Sequence, residues 1–173
     1  MDAARRTSAD RESRRFIDRH VTWLSAEITR LGKRIAELVA ADDEMARDGR
    51  RLRTAPGVGP VVAAALLAWM PELGRLDRRR VAALAGLAPV ARDSGLRSPA
   101  RRIVGGRPVV RSMLYLAGLQ ASRRDPGLKA FRERLEARGR TPKQAIIAVA
   151  RKLLTILNAM LRTGQDYAPQ AVG

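Results

Sequence analysis

The residues in this sequence best suited to chemistry lie between Gly86 and Arg111, GLAPVARDSGLRSPARRIVGGRPVVR. A serine, Ser94, is followed by a glycine, and Arg92, Arg97, Arg101, Arg102, Arg107 and Arg111 lie on either side of it. From Ser94 to Arg124 there are seven arginines and no Asp or Glu. A serine hydroxyl attacks only where something accepts its proton and something stabilises the charge on the group attacked. Phosphoryl transfer depends heavily on the second condition, met by positive charges around the equatorial oxygens. The arginines supply that charge. The base is less obvious: Asp93 is next door, and adjacent loop side chains rarely converge on one target. Residue types and spacing leave two readings of Ser94 open, a nucleophile at phosphorus or a hydroxyl capping a turn.

Composition removes several other chemistries. The chain of 173 residues has no cysteine and one histidine, His20. Disulfides and thiolate metal sites are thereby excluded, and a single histidine argues against a His-based zinc site or a Ser-His-Asp triad. Net charge is +17, and it is placed unevenly. Residues 1–48 hold ten basic and ten acidic residues, so the whole excess falls on 49–173. A folded region this basic calls for a polyanion, and nucleic acid is the expected partner.

The elements that must position the loop are helical. Hydrophobic content is 46% with 3% aromatic, as in a protein built on Ala, Leu, Val and Ile. Residues 1–15 are polar and read as a disordered arm. Residues 16–48 read as a coiled-coil helix. Its seam has Val21, Ile28 and Ile35 at a, with Leu24, Leu31 and Leu38 at d. β-Branched a with leucine d favours a parallel two-stranded coil, so a homo-oligomer is expected. Residues 49–167 form the basic helical domain, and 168–173 a tail.

Within that domain, Leu52 to Ala63 has the form of a helix-hairpin-helix: Pro56-Gly57-Val58-Gly59-Pro60 precedes a proline-opened helix. Gly57, Val58 and Gly59 are candidate DNA phosphate-binding residues, because helix-start N–H groups attract anions. Asp77 caps a short helix that ends at Gly86. Pro108, Asp125-Pro126 and Thr141-Pro142 open three more, and the last ends near Gly164. That last helix is apolar nearly all round, which predicts the centre of a bundle. Its polar stripe, Arg151, Thr155, Asn158 and Arg162, reads as an exposed edge. Short extended pieces are expected around 89–92 and 101–104. The fold class is mainly α.

The first fifteen residues are charged, and Arg151 and Lys152 interrupt the most apolar stretch. No signal peptide and no membrane partner are expected, and the protein reads as cytoplasmic.

Several pieces in order resemble the C-terminal domain of the IS-one-ten family of insertion-sequence transposases. They are Pro56 to Pro60, Leu84-Ala85-Gly86-Leu87-Ala88-Pro89, Asp93-Ser94-Gly95 and Arg102-Ile103-Val104-Gly105-Gly106-Arg107. Val110-Arg111, Leu114-Tyr115, Phe131, Arg134-Leu135 and Arg151 to Ala159 continue the series, which covers Leu52 to Tyr167. Two positions depart from the pattern: Val104-Gly105 stands where many members have Ser/Thr-Lys, and Arg132 where an aromatic is frequent.

The resemblance implies a DNA recombinase guided by a bridge RNA, with Ser94 attacking DNA phosphate to form a covalent phosphoserine. It implies oligomer contacts through the coil. It also implies a RuvC-like domain whose four acidic residues hold Mg²⁺. That domain is not recognisable in this sequence, so Mg²⁺ is expected only with a separate acidic half. Arg97, Arg101, Arg102, Arg107 and Arg111 become candidate phosphate contacts. The other reading is a non-catalytic helix-hairpin-helix module that binds DNA or RNA, or a truncated transposase relic.

Overall fold

The computed structural model describes residues 2–88 and 105–169, with side chains from residue 10. Seven helices and no strand occur among the described residues, so the chain is mainly α. The extended pieces expected at 89–92 and 101–104 lie outside the described residues. Two compact units divide the chain, residues 1–38 and 39–173.

The first unit is one helix. α1 spans Asp2–Ala40, so the stretch expected to be a disordered arm is helical from Asp2 onward. No glycine or proline interrupts residues 2–31, and an Asp10–Arg14 pair at 2.9 Å bridges one turn. The seam residues Val21, Leu24, Ile28, Leu31, Ile35 and Leu38 are all exposed. Phe16 stacks on His20, and Trp23 lies tilted against the same imidazole, beside the seam.

The helix expected over 16–48 breaks at Ala41–Asp42. There the Asp42 carboxylate accepts the Met45 N–H at 2.8 Å and opens α2, Asp43–Leu52. Asp42, Asp43 and Glu44 place negative charge on the positive end of α2, which favours a new start over continuation.

The second unit is built around its last helix. α3 spans Pro60–Trp69, α4 Arg78–Leu84, α5 Pro108–Arg124, α6 Pro126–Ala137 and α7 Pro142–Thr163. α7 opens on a capping box in which Thr141 Oγ1 accepts from Gln144 N and Gln144 Oε1 accepts from Thr141 N. It closes at Gly164 in the left-handed conformation. In between, Val149, Leu153, Leu154 and Leu157 are fully buried, and α2, α4, α5 and α6 all pack on α7. At the α5 crossing Gly118 faces Ala150 so closely that an added Cβ would lie 3.0 Å from the Ala150 backbone. α7 is long and apolar enough to cross a membrane, yet half of its most apolar window is buried within the fold. The bundle consumes that apolarity.

One part of the α7 stripe is not an exposed edge. Asn158 is 3% exposed. Its Oδ1 accepts the Gly74 N–H at 2.8 Å and its Nδ2 donates to Leu76 O at 2.9 Å. The amide thereby satisfies the irregular 71–77 connection, which has no helix of its own to pair its backbone.

Candidate nucleic-acid interface and serine-loop neck

Two small structures in the second unit position the residues singled out from the sequence. The first is the turn between α2 and α3. Ala55 N donates to Leu52 O at 3.1 Å, and Val58 N to Ala55 O at 3.2 Å. Gly57 has φ +79°, and a Cβ there would fall 2.3 Å from Ala117 O and 2.9 Å from Ala121 N. Only a glycine lets this turn lie on the α5 backbone. Val58 is buried with its N–H already bonded. Gly59 is different: it is the exposed N-cap of α3, with open space around it and no side-chain cap. Pro60 follows at the first helical position, so the exposed anion-attracting part of the turn is Gly59 and the first turn of α3.

The second structure is a neck that closes the 89–104 segment at its base. Gly86 and Gly106 meet backbone to backbone: a Cβ on Gly106 would lie 2.3 Å from Gly86 N and 2.4 Å from Gly86 Cα. Both have positive φ, +68° and +75°. Arg107 N donates to Leu84 O at 3.0 Å, and Leu87 N to Ala82 O at 2.8 Å. The chain therefore leaves α4 and returns to α5 through one fixed point.

Arg107 and Arg111 sit at that point and already have partners. Arg107 Nη1 and Nη2 each donate to the Glu72 carboxylate at 2.8 Å, in a two-pronged pair, and Nη1 also donates to Trp69 O. The Arg107 hydrogen bonds are the main reason Glu72 is pulled down to about 2, with a backbone hydrogen bond adding to the effect. Arg111 Nη1 donates to Gly105 O at 3.1 Å. Both arginines tie the neck, and each keeps further N–H donors for a ligand.

Ser94, Arg97, Arg101 and Arg102 lie outside the described residues. Of the other sequence candidates, the neck brings Arg107 and Arg111 together, and the hairpin groups Gly57, Val58 and Gly59. The hairpin and the neck are not adjacent. Gly57 touches α5 at Ala117–Ala121, while Trp69 at the other end of α3 meets Arg107 at the start of α5. Ten helical residues separate the two features, about 15 Å of rise. Glu72, Trp69 and the Gly86–Gly106 contact were not anticipated from sequence. Gly105-Gly106 hinted at a tight turn, but the partner glycine is twenty residues away in the chain. Among the described residues no three His, Asp or Glu side chains gather as a metal site would require.

The second unit is thus a mainly helical, strongly basic bundle with a tight α2–α3 turn. Residues 49–133 match the family model of the IS116/IS110/IS902 transposases. A "Pilin gene-inverting protein" of Moraxella bovis is 31% identical over 156 residues, covering 88% of this chain and 48% of that protein. The "Insertion element IS900 uncharacterized 42 kDa protein" of Mycobacterium paratuberculosis is 34% identical over 161 residues, 86% of this chain and 39% of its own length. The insertion element IS110 43.6 kDa protein of Streptomyces coelicolor is 32% identical over 118 residues, 67% of this chain and 29% of its own. The chain belongs to this transposase family. It spans about half the length or less of the curated relatives it matches.

Proposed function

We propose that this chain is the serine-bearing part of a DNA transposase. Ser94 Oγ attacks a DNA phosphodiester, an Oγ–P bond forms, and the bond from phosphorus to the leaving deoxyribose oxygen breaks. That oxygen takes up a proton as the serine gives one up. Arg97, Arg101 and Arg102 stabilise the charge developing on the phosphoryl oxygens. Arg107 and Arg111 hold the neck and offer their remaining N–H groups to the DNA. Gly59 and the first turn of α3, with Gly57 and Val58 fixing its pose, grip a backbone phosphate about 15 Å away.

The observation that carries this reading is the neck: the ends of an arginine-rich segment that includes Ser94 are joined by two glycines and an Arg–Glu clamp on a helical bundle. A binding loop is served by such a base; so is a catalytic one, and the family match favours catalysis. The name "gene-inverting" on a relative fits strand exchange. Mg²⁺ would be held by the acidic residues of a RuvC-like half, as the family resemblance implies. DNA is the substrate, a bridge RNA supplies the target sequence, and the exposed α1 seam joins copies of the chain. The work is done in the cytoplasm, on nucleoid DNA.

The α2–α3 turn, with Gly59 exposed at the start of α3, fits one competing reading, a transposase relic that binds DNA without cutting it. Incubating the chain with insertion-element terminal DNA, with and without a full-length family transposase, separates the two. Catalysis predicts DNA covalently joined to this chain, absent in Ser94→Ala. Salt-sensitive binding with no adduct under any condition leaves the relic. Ile28→Asp should halve the particle mass in light scattering; an unchanged mass would contradict assembly through the seam.

A further inference from the structure

We infer that α1 pairs with a second copy of itself in antiparallel orientation, in one register set by Glu27 and Arg34. The inference rests on the reading of the seam as a contact between copies, and it adds what that reading lacked: direction and partners.

The exposed face of α1 is unsatisfied over its whole middle. Val21, Leu24, Ile28, Leu31, Ile35 and Leu38 are between 38% and 69% exposed. β-Branched a with leucine d favours a parallel pair, but the flanking e and g residues are what set orientation. The g positions hold His20, Glu27 and Arg34, and the e positions Ser25 and Gly32 between them. A parallel pair sets each g against the e five residues on. Glu27 then faces Gly32, and His20 faces Ser25. No charge finds an opposite charge.

An antiparallel pair uses the same residues differently. One register stacks Val21 on Leu38 of the second copy, Leu24 on Ile35 and Ile28 on Leu31, each twice by symmetry. Six layers result, and every seam residue from Val21 to Leu38 is used. Antiparallel flanks set g against g. In this register Glu27 meets Arg34 of the second copy with an axial offset of about 3 Å, and the symmetric pair repeats it. On the other flank Ser25 meets Gly32, and two small residues let the helices approach closely.

Sliding one helix by a heptad pairs Val21 with Leu31 instead and sets Glu27 against Glu27, which is repulsive. That register is disfavoured. Ile17 lies one step outside the six layers in the favoured one.

Both charged residues are available. Glu27 accepts from Arg30 Nε at 3.0 Å, and Arg34 donates to Glu37 at 3.2 Å, within the same helix. A carboxylate accepts at several lone pairs and a guanidinium has five donors, so each can hold its own-chain partner and the other copy's together.

The chain has no cysteine, so single cysteines report proximity cleanly. Val21→Cys and Leu38→Cys would be oxidised separately and mixed, with one carrying a tag of different mass. The antiparallel pair predicts a disulfide only in the mixture, because like positions stand about 25 Å apart. Self-linked dimers of each variant alone would overturn the orientation while leaving the seam a dimer contact. A dimeric mass without any cross-link would overturn the register. A monomeric mass would sink the seam reading itself.

A second pair of variants reads the charges. Glu27→Arg makes two Arg–Arg contacts and Arg34→Glu two Glu–Glu contacts, so each should dimerise about tenfold more weakly. Mixed, the two restore both attractions and should give heterodimers well above the statistical half. A statistical mixture would contradict the assigned register.

Discussion

Gly105 and Gly106 allow a controlled test of the neck. Both have positive φ, +81° and +75°, so alanine at either position incurs the left-handed penalty of about 1–2 kcal/mol. Reduced freedom of the unfolded chain offsets part of that, about 0.4–1 kcal/mol. They differ in surroundings. A Cβ on Gly105 meets nothing within 4 Å, whereas one on Gly106 lies 2.3 Å from Gly86 N and 3.0 Å from Ala85 C. Relieving the second contact requires the two strands of the neck to part by about 1 Å, since unstrained carbon contacts start near 3.5 Å. The Arg107 N–H to Leu84 O bond at 3.0 Å spans that gap. It contributes about 1 kcal/mol net. Gly106→Ala should therefore destabilise the domain by about 1 kcal/mol more than Gly105→Ala, about 3 °C in midpoint. Thermal unfolding by circular dichroism measures the difference. Equal midpoints would refute the backbone contact as the base of the loop.

Acid should loosen the same neck. The folded Glu72 is held at about 2, below its ordinary 4.5, chiefly by Arg107. A depressed carboxylate adds stability above its unfolded value and loses it as pH falls from there towards the folded one. Urea midpoints should fall between pH 4.5 and about 2 in the wild type by more than in Glu72→Gln; identical slopes would contradict the clamp. Asn158→Ala leaves the Gly74 N–H and Leu76 O without partners beneath the 71–77 connection, and should cost about 2–3 kcal/mol in denaturant titration. A loss under 0.5 kcal/mol would mean that water replaces the amide.

The helix starts were legible because local chemistry marks them. Pro60, Asp77, Pro108, Asp125 and Thr141 each open or cap an element where expected. The central position of α7 followed from its near-continuous apolar surface. Other features depend on residues far apart in the chain and have no local signature. Asn158 looked like part of an exposed stripe, since nothing in its own helix reveals that Gly74 and Leu76 lie above it. Arg107 looked like a free cation, because its partner Glu72 is 35 residues upstream. The Asp42 cap was hidden by the charged run around it, close behind the regular period of the seam. Gly57 was legible as a glycine that lets one backbone come close to another. Its partner was not: that is α5 at Ala117, sixty residues on.

The central claim is that Ser94 becomes covalently attached to DNA. The direct measurement is peptide mapping by mass spectrometry after reaction with terminal DNA in the presence of a full-length family transposase, followed by nuclease trimming. The account predicts a nucleotide remnant on the peptide containing Ser94, gone in Ser94→Ala while DNA binding persists. A remnant on any other residue, or an adduct undiminished in Ser94→Ala, would contradict it.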